Sequence, residues 1–396
     1  MKRIDPDLCA RCKGYKRLCG LPRCPILQRL RAFNRARWEG HVADAPSPPS
    51  PLVGESGYPK VPLALSLSPY GDPRLRDAPT EWVRMRLGLE EVANLRMEML
   101  NPFKKVDVRR VEELLDNEVI WAGISEKPVD VEARIEGKVI PPKLDGLIAP
   151  IGPSARAQEV KVQSNPKVDS LIERKFEERI KAEVALRELY EYGRDVYALQ
   201  KALSLGLLGK RKKLVPTRWA ITAVDQIISK HLKETILKRK WVNSIHLGTY
   251  EHYSNRYIVI LKPGPPIVEM FEIWKKGTLW SPNKDVIIYN YEGPLPTSKA
   301  SDPSDGGFHA TKAGALQALA EEGTSASVLV IREISKDYYL PLGVWQVREG
   351  VKLAVRNALS GIKLDEREFQ KIVLNEMPFL SSSKLLSQRK LMDYES

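Results

Sequence analysis

Apolar positions recur every three or four residues in several stretches of the chain, and between those stretches they alternate or cluster as strands do. Over 80–100, Trp82, Met85, Leu89, Val92, Leu95 and Met99 keep helical spacing with charged residues between them, and Asn101-Pro102 ends the run. A second helix is expected over 108–115, then a strand at 119–122 and short strands at 129–135, 139–140 and 146–151. The longest helical signal is 169–206, where Ile172, Phe176, Ile180, Val184 and Leu189 sit near a four-residue interval and Gly193 is placed to divide it. A further helix presents Ile221, Val224, Ile228, Leu232 and Ile236, with Thr222 and Asp225 spaced like a capping box at its start. Strands are expected at 256–262, 267–274, 286–291, 327–334 and 342–347, the first two as an antiparallel hairpin, with helices at 310–321 and 351–359. This alternation is too irregular for a doubly wound sheet. The expected class is α+β: a small N-terminal zinc module joined to a mixed α/β main body, with antiparallel strands in the C-terminal half.

Two stretches lack periodicity. Residues 43–52, ADAPSPPSPL, read as an extended linker, and 53–73 as a loop, because Gly54, Gly57, Pro59, Pro62 and Pro69 preclude a long helix. Amides around Gly54 to Gly57 are placed to cradle a phosphate, although neither G-x-x-x-x-G-K-[ST] nor G-x-G-x-x-G occurs. At 396 residues the chain has room for several bodies. The expected division is 1–40, a zinc-binding basic module; 41–73, a Pro/Gly-rich linker and loop; 74–240, a mainly helical domain; 241–380, a strand-rich α+β domain; and 381–396, a tail. No apolar run reaches the roughly 18 residues of a membrane span and the start is charged, so a cytoplasmic protein is expected.

Charge changes this picture because it is local. The formal net charge is +13, yet residues 1–40 alone carry eleven Lys or Arg against Asp5, Asp7 and Glu39, and 201–240 carry eleven against Asp225 and Glu234. The remaining residues are slightly acidic. Concentrated cations are what a phosphate-backbone binder needs, since each neutralised phosphate releases counterions. In the first window a helix over 26–38 is expected, with Ile26, Leu27, Leu30 and Phe33 on one stripe and Arg29, Arg31, Arg35 and Arg37 elsewhere. In the second, Lys210, Arg211, Lys212 and Lys213 form a basic loop and Arg218 stands near a helix N-terminus, where the dipole also favours anions. A solubilising surface is the competing reading. Tyr190, Tyr192 and Tyr197 have core spacing as well as the chemistry to stack on bases.

Cysteine occurs only at Cys9, Cys12, Cys19 and Cys24, spaced C-x2-C-x6-C-x4-C. Two sulfurs from one turn and two from beyond it suit a tetrahedral structural zinc, which contributes about 10–16 kcal/mol to a module too small to fold on apolar burial. An iron–sulfur cluster is the second reading: Cys24-Pro25 matches the end of a bacterial ferredoxin run, but the preceding spacings do not. A disulfide pair is the third, disfavoured in a chain that otherwise avoids cysteine and has no export signal. His246, His252 and His309 lack ligand spacing, Asp225 and His231 fall on different helical faces, and neither HExxH nor a Ser-His-Asp order appears.

At the C-terminus, Gln388, Leu391 and Tyr394 fit Q-x-x-hydrophobic-x-x-aromatic, the form of motifs that bind the replication sliding clamp, with Glu395 where a second aromatic is usual. CARCKGYKRLCGLPRC, KKLVPTRWAITAVDQIISKH and QRKLMDY together resemble the archaeal Nre family of DNA-repair proteins over nearly the whole chain. The resemblance implies a zinc-finger-like motif at Cys9, Cys12, Cys19 and Cys24 and a clamp-interacting motif at Gln388, Leu391 and Tyr394. It also implies a role in the response to DNA damage, with DNA, a PCNA-like clamp and repair nucleases or excision-repair proteins as partners and no membrane. It supplies no catalytic residues. Two alternatives stay open: an enzyme on nucleic acid or a nucleotide, with the Gly54–Gly57 loop, Arg218 and Glu269 or Glu272 about a pocket, and an RNA-binding or tRNA-processing protein.

Overall fold

Proline fits a strand wherever its missing N–H would have no partner, as on the open side of an edge strand. The computed structural model describes residues 6–14, 16, 18–20, 24, 41–115, 118–295, 306–371 and 377–387. In it a short helix, α1 (Pro6–Cys12), precedes β1 (Val42–Ser47), β2 (Pro51–Val53) and β3 (Lys60–Leu65). The linker and loop expected over 41–73 thus hold three strands. With β4 (Asn101–Asp107), β5 (Val129–Ile140) and β6 (Ser154–Val162) they make one sheet in the order β1-β5-β6-β4-β3-β2. Pro46 and Pro51 lie on its two edge strands, and β1 still alternates, burying Ala43, Ala45 and Ser47. Only β4 and β6 run parallel.

Helices cover this sheet in shorter pieces than the periodicity suggests. The run over 80–100 divides into α2 (Pro79–Arg84) and α3 (Leu89–Met97), where the Glu91 carboxylate accepts from the Gly88 amide and restarts the helix. α4 (Val111–Leu115) follows, and the expected strand at 119–122 is a helical turn, α5 (Val119–Ala122), burying Ile120 and Ala122. Four apolar residues carry no period by which to tell the two apart. The expected strand at 146–151 is reduced to a single bridge at Ile151. The 169–206 signal becomes α6 (Ser170–Glu178), α7 (Ala182–Glu191) and α8 (Val196–Ser204), broken where Arg179 and Gly193 take positive φ, with Asp169 and Asp195 capping the first and third. Next comes α9 (Thr217–Ile236). One compact unit takes its described residues from 21–228 and 340–345; a second takes them from 1–20, 229–339 and 346–396.

The second unit is built on β7 (Ile245–His252), β8 (Asn255–Lys262), β9 (Val268–Trp274), β10 (Val286–Glu292), α10 (Gly306–Glu321), β11 (Ser327–Ile334), α11 (Trp345–Ser360) and β12 (Ile362–Leu364). Its strands order as β10-β9-β11-β8-β7-β12. The expected hairpin between β8 and β9 does not form, because β11 lies between them, antiparallel to one and parallel to the other. The hairpins are β7–β8 and β9–β10. The PGPP connection is no tight turn: Ile267 donates to Pro265 O, and Ile267 O then receives the Val328 amide of β11. The expected strand at 342–347 is irregular up to Leu342, whose carbonyl accepts the Trp345 indole N–H at 2.6 Å where α11 begins.

α10 is buried nearly all round, as a helix with apolar residues on every side must be. A Cβ on Gly314 would stand 2.3 Å from Arg348 O, so glycine is what lets α10 and α11 touch. On the opposite face, Phe271, Ile273, Leu329 and Ile331 pack with Leu364, with Phe369 of α12 (Glu366–Phe369), and with Leu380 and Leu385, the last in α13 (Lys384–Ser387). Among the described residues no helix is long and apolar enough to cross a membrane.

Candidate nucleic-acid interface

Three stretches of the first unit, distant in sequence, are tied side by side by backbone hydrogen bonds. The 57–60 turn closes with the Lys60 amide on Gly57 O at 2.9 Å. Pro59 O then accepts the Val108 amide, and Val108 O accepts the Leu214 amide, each at 2.9 Å. At the next step the Val53 amide donates to Thr217 Oγ1 at 2.9 Å, fixing the start of α9 to the end of β2. Gly206, at φ +75, makes the approach of 210–214 possible, since a Cβ there would meet the Lys213 carbonyl at 2.6 Å. The outcome is one rim that carries Tyr58, Lys60, Arg109, Arg110, Lys210, Arg211, Lys213 and Trp219, all exposed. Tyr58 and Trp219 lean on each other with ring centroids 5.6 Å apart.

The second basic window is less available than its count suggests. Lys212 points inward, giving its Nζ to Leu207 O at 3.0 Å and lying 4.3 Å from the centre of the Phe176 ring. Burial, with Arg179 adding repulsion, pulls its ammonium down to about 8 against an opposing pull from Glu112. Arg218 reaches Glu55 at 3.1 Å and also Asp145, so it staples the 54–57 loop to α9. Lys201 pairs with Asp77 at 3.1 Å, and in the second unit Lys233 pairs with Glu292 at 2.8 Å. Arg109 and Arg110 are partly offset by Asp107 and Glu113; the side-chain hydrogen bond from Arg109 holds Asp107 far below the usual carboxylate range. Positive potential therefore concentrates at Lys60, Lys210, Arg211 and Lys213.

The expected start of α9 at Thr222 is corrected. The helix begins five residues earlier, after Pro216, whose carbonyl accepts the Trp219 and Ala220 amides. Thr222 is mid-helix, donating to Arg218 O, and Asp225 is buried beside Gln200. Glu269 and Glu272, the carboxylates of the enzyme alternative, are each engaged by groups of the second unit. Glu272 receives Lys13 at 2.6 Å, Arg332 at 2.8 Å and the Trp274 indole at 2.7 Å. Glu269 receives the Lys384 amide, the Leu385 amide and the Tyr289 hydroxyl at 2.7, 3.2 and 2.6 Å. A cleft of about 530 Å³ in the first unit includes neither Arg218 nor Glu55; of its carboxylates, Asp77 pairs with Lys201, Asp169 with Arg194, and Asp195 caps α8.

Cys12 is buried, Cys9 and Cys24 are half-buried, and Cys19 is exposed. Lys13 and Gly14 take positive φ directly after Cys12, where α1 ends. Among the described residues no three His, Cys, Asp or Glu side chains converge on one point. His246 bonds to Ala358 O at 3.2 Å, His252 stacks on Tyr253, and His309 is buried in α10, so these three are packing residues. Of the tyrosines, Tyr192 is exposed, whereas Tyr190 and Tyr197 are half-buried. Arg29, Arg31, Arg35, Arg37, Gln388, Leu391 and Tyr394 lie outside the described residues.

The basic-aromatic rim was not assembled from sequence. Trp219 was detectable: the buried face of α9 is Ala220, Val224, Ile228, Leu232 and Ile236, and an indole one position off that stripe has no core to enter. Nothing local places Arg109 beside Tyr58.

Residues 18–281 match the model described as Archaeal Nre, N-terminal, and 295–394 that described as Archaeal Nre, C-terminal. The chain is 41% identical over 355 residues to DNA repair protein NreA of Archaeoglobus fulgidus, covering 88% of each chain. It is 32% identical over 357 residues to DNA repair protein NreA of Haloferax volcanii, covering 86% of this chain and 84% of that one. With DNA repair protein NreB of Archaeoglobus fulgidus it shares 33% identity over 349 residues, 86% of each. No solved structure matches. With both family models matched along most of its length, the chain belongs to the archaeal Nre family.

Proposed function

We propose that this protein is a DNA-repair factor that holds nucleic acid on the basic rim of its first unit and reaches the sliding clamp through Gln388, Leu391 and Tyr394. The observation that carries the reading is the gathering of Lys60, Lys210, Arg211, Lys213, Tyr58 and Trp219 from separate stretches onto one exposed rim, in a chain whose relatives are named DNA repair proteins. Phosphate contacts supply affinity and steering without reading sequence, which suits a factor that meets lesions at arbitrary positions. Replacing Lys210, Arg211 and Lys213 together by Ala is expected to lower the slope of log affinity against log salt for duplex DNA by roughly 2 to 3. An unchanged slope refutes the assignment. For the N-terminal segment we retain thiolate zinc, held by Cys9, Cys12, Cys19 and Cys24, which would supply structural rigidity and no chemistry at the rim. One zinc per chain by elemental analysis, lost with Cys12→Ser, is the expected result; a brown protein absorbing near ~400 nm would indicate iron–sulfur ligation instead.

A further inference from the structure

We infer that the rim takes strands whose bases are unpaired, the bases stacking on Tyr58 and Trp219 while their phosphates lie against the surrounding cations. This rests on the nucleic-acid reading above and names its substrate class. Tyr58 is 49% exposed and Trp219 47% exposed although the two rings lean on each other at an interplanar angle of 40°. Both are held in place by backbone. Tyr58 sits between Gly57 and Pro59, whose carbonyls are engaged by Lys60 and Val108, and Trp219 is in the first turn of a 20-residue helix. The tilt leaves an open face on each ring. Around them Lys60, Arg109, Lys210, Arg211 and Lys213 bring positive charge to within a few residues along three tied segments.

A duplex offers this rim phosphates alone, because its bases are stacked on one another. A single strand, a gap or a fork offers π-faces too, and each face that stacks is sequence-tolerant. The rings should therefore set preference between strand states, and the cations should set affinity for both.

The experiment compares binding of a labelled dT oligonucleotide, the same length of rU, and a duplex of equal length to the full chain at one salt concentration. The variants are Tyr58→Ala with Trp219→Ala, Tyr58→Phe with Trp219→Phe, and the triple Lys210, Arg211, Lys213→Ala. The alanine pair is expected to weaken dT binding on the order of tenfold or more, leave duplex binding within about twofold, and keep the salt slope; the phenylalanine pair should restore most of the loss. Quenching of tryptophan emission by dT, absent in the phenylalanine pair, is the spectroscopic counterpart. Equal losses on dT and duplex, or no loss on either, overturn the inference. If the charge variant flattens the slope while the aromatic variants change nothing, or if the duplex alone binds, only the stacking inference falls; if none of the three probes binds the wild-type chain, the nucleic-acid reading falls first. Binding of dT at least as tight as rU supports a DNA substrate, and strong preference for rU overturns it.

Discussion

Lys212 shows how one residue in a basic run can do a different job from its neighbours. Lys210, Arg211 and Lys213 are exposed, while Lys212 carries its charge inward to a carbonyl and a ring. Lys212→Met is accordingly expected to leave the salt slope of DNA binding unchanged, unlike Lys213→Ala. It should also alter pH dependence. The folded ammonium titrates near 8 against an ordinary 10.5, so between those values the unfolded chain binds more protons and stability rises with pH. Denaturant titrations from pH 7 to 10 should show that rise in the wild type and less of it in the variant. Asp77 gives a pH slope of the same sign, but at acid pH and through a pairing that stabilises the fold. Burial raises its carboxyl, but Lys201 and Arg96, at 3.1 and 2.9 Å, outweigh that and hold it below the ordinary value. Its contribution is present above the ordinary carboxylate range and is lost as pH falls through the depressed folded value. Asp77→Asn should cost about 3 kcal/mol at neutral pH, measured by urea unfolding, and should blunt acid destabilisation below about pH 4.

At the scale of elements, the C-terminal strap and the first segment both grip the second sheet through buried carboxylates. Glu269 lies on β9 with strands paired on either side, and besides Tyr289 its donors are Ser383, Lys384 and Leu385. The chain is thus pinned up to Ser387, one residue short of Gln388. Two truncations should behave differently. Ending the chain after Ser387 should leave unfolding unchanged and abolish clamp binding. Ending it before Met377 should destabilise the second unit by several kcal/mol, since Leu380 and Leu385 each bury about 1.5–3 kcal/mol of side chain and Glu269 loses its donors. Melting curves and a clamp pull-down on both variants check this. On the other face, Lys13 brings the Cys9–Cys12 turn to Glu272, so α1 is fastened to this sheet.

For the whole molecule, the net charge of +13 is a poor guide to where polyanions bind. Cations of the second window are spent in three ways: inside the first unit at Lys201 and Arg218, inside the second at Lys233, and under the Phe176 ring at Lys212. What remains outside is a smaller set, on a rim with two aromatic rings.

The amino-acid order alone determined the mixed α+β class, the existence of most helices and of β8, β9, β10 and β11, the four-cysteine cluster and the family resemblance, because periodicity, spacing and motif are local properties of a chain. It could not show that proline-bearing 42–53 forms edge strands, since edge position is a fact about neighbours. Nor could it place β11 between β8 and β9, because pairing partners of equally apolar strands are chosen by the packing of the whole sheet. The basic-aromatic rim belongs to the same category. Lys213, Arg109 and Tyr58 become neighbours only through the amides of Val108 and Leu214, and whether a lysine faces water or a ring depends on what the rest of the chain puts beneath it.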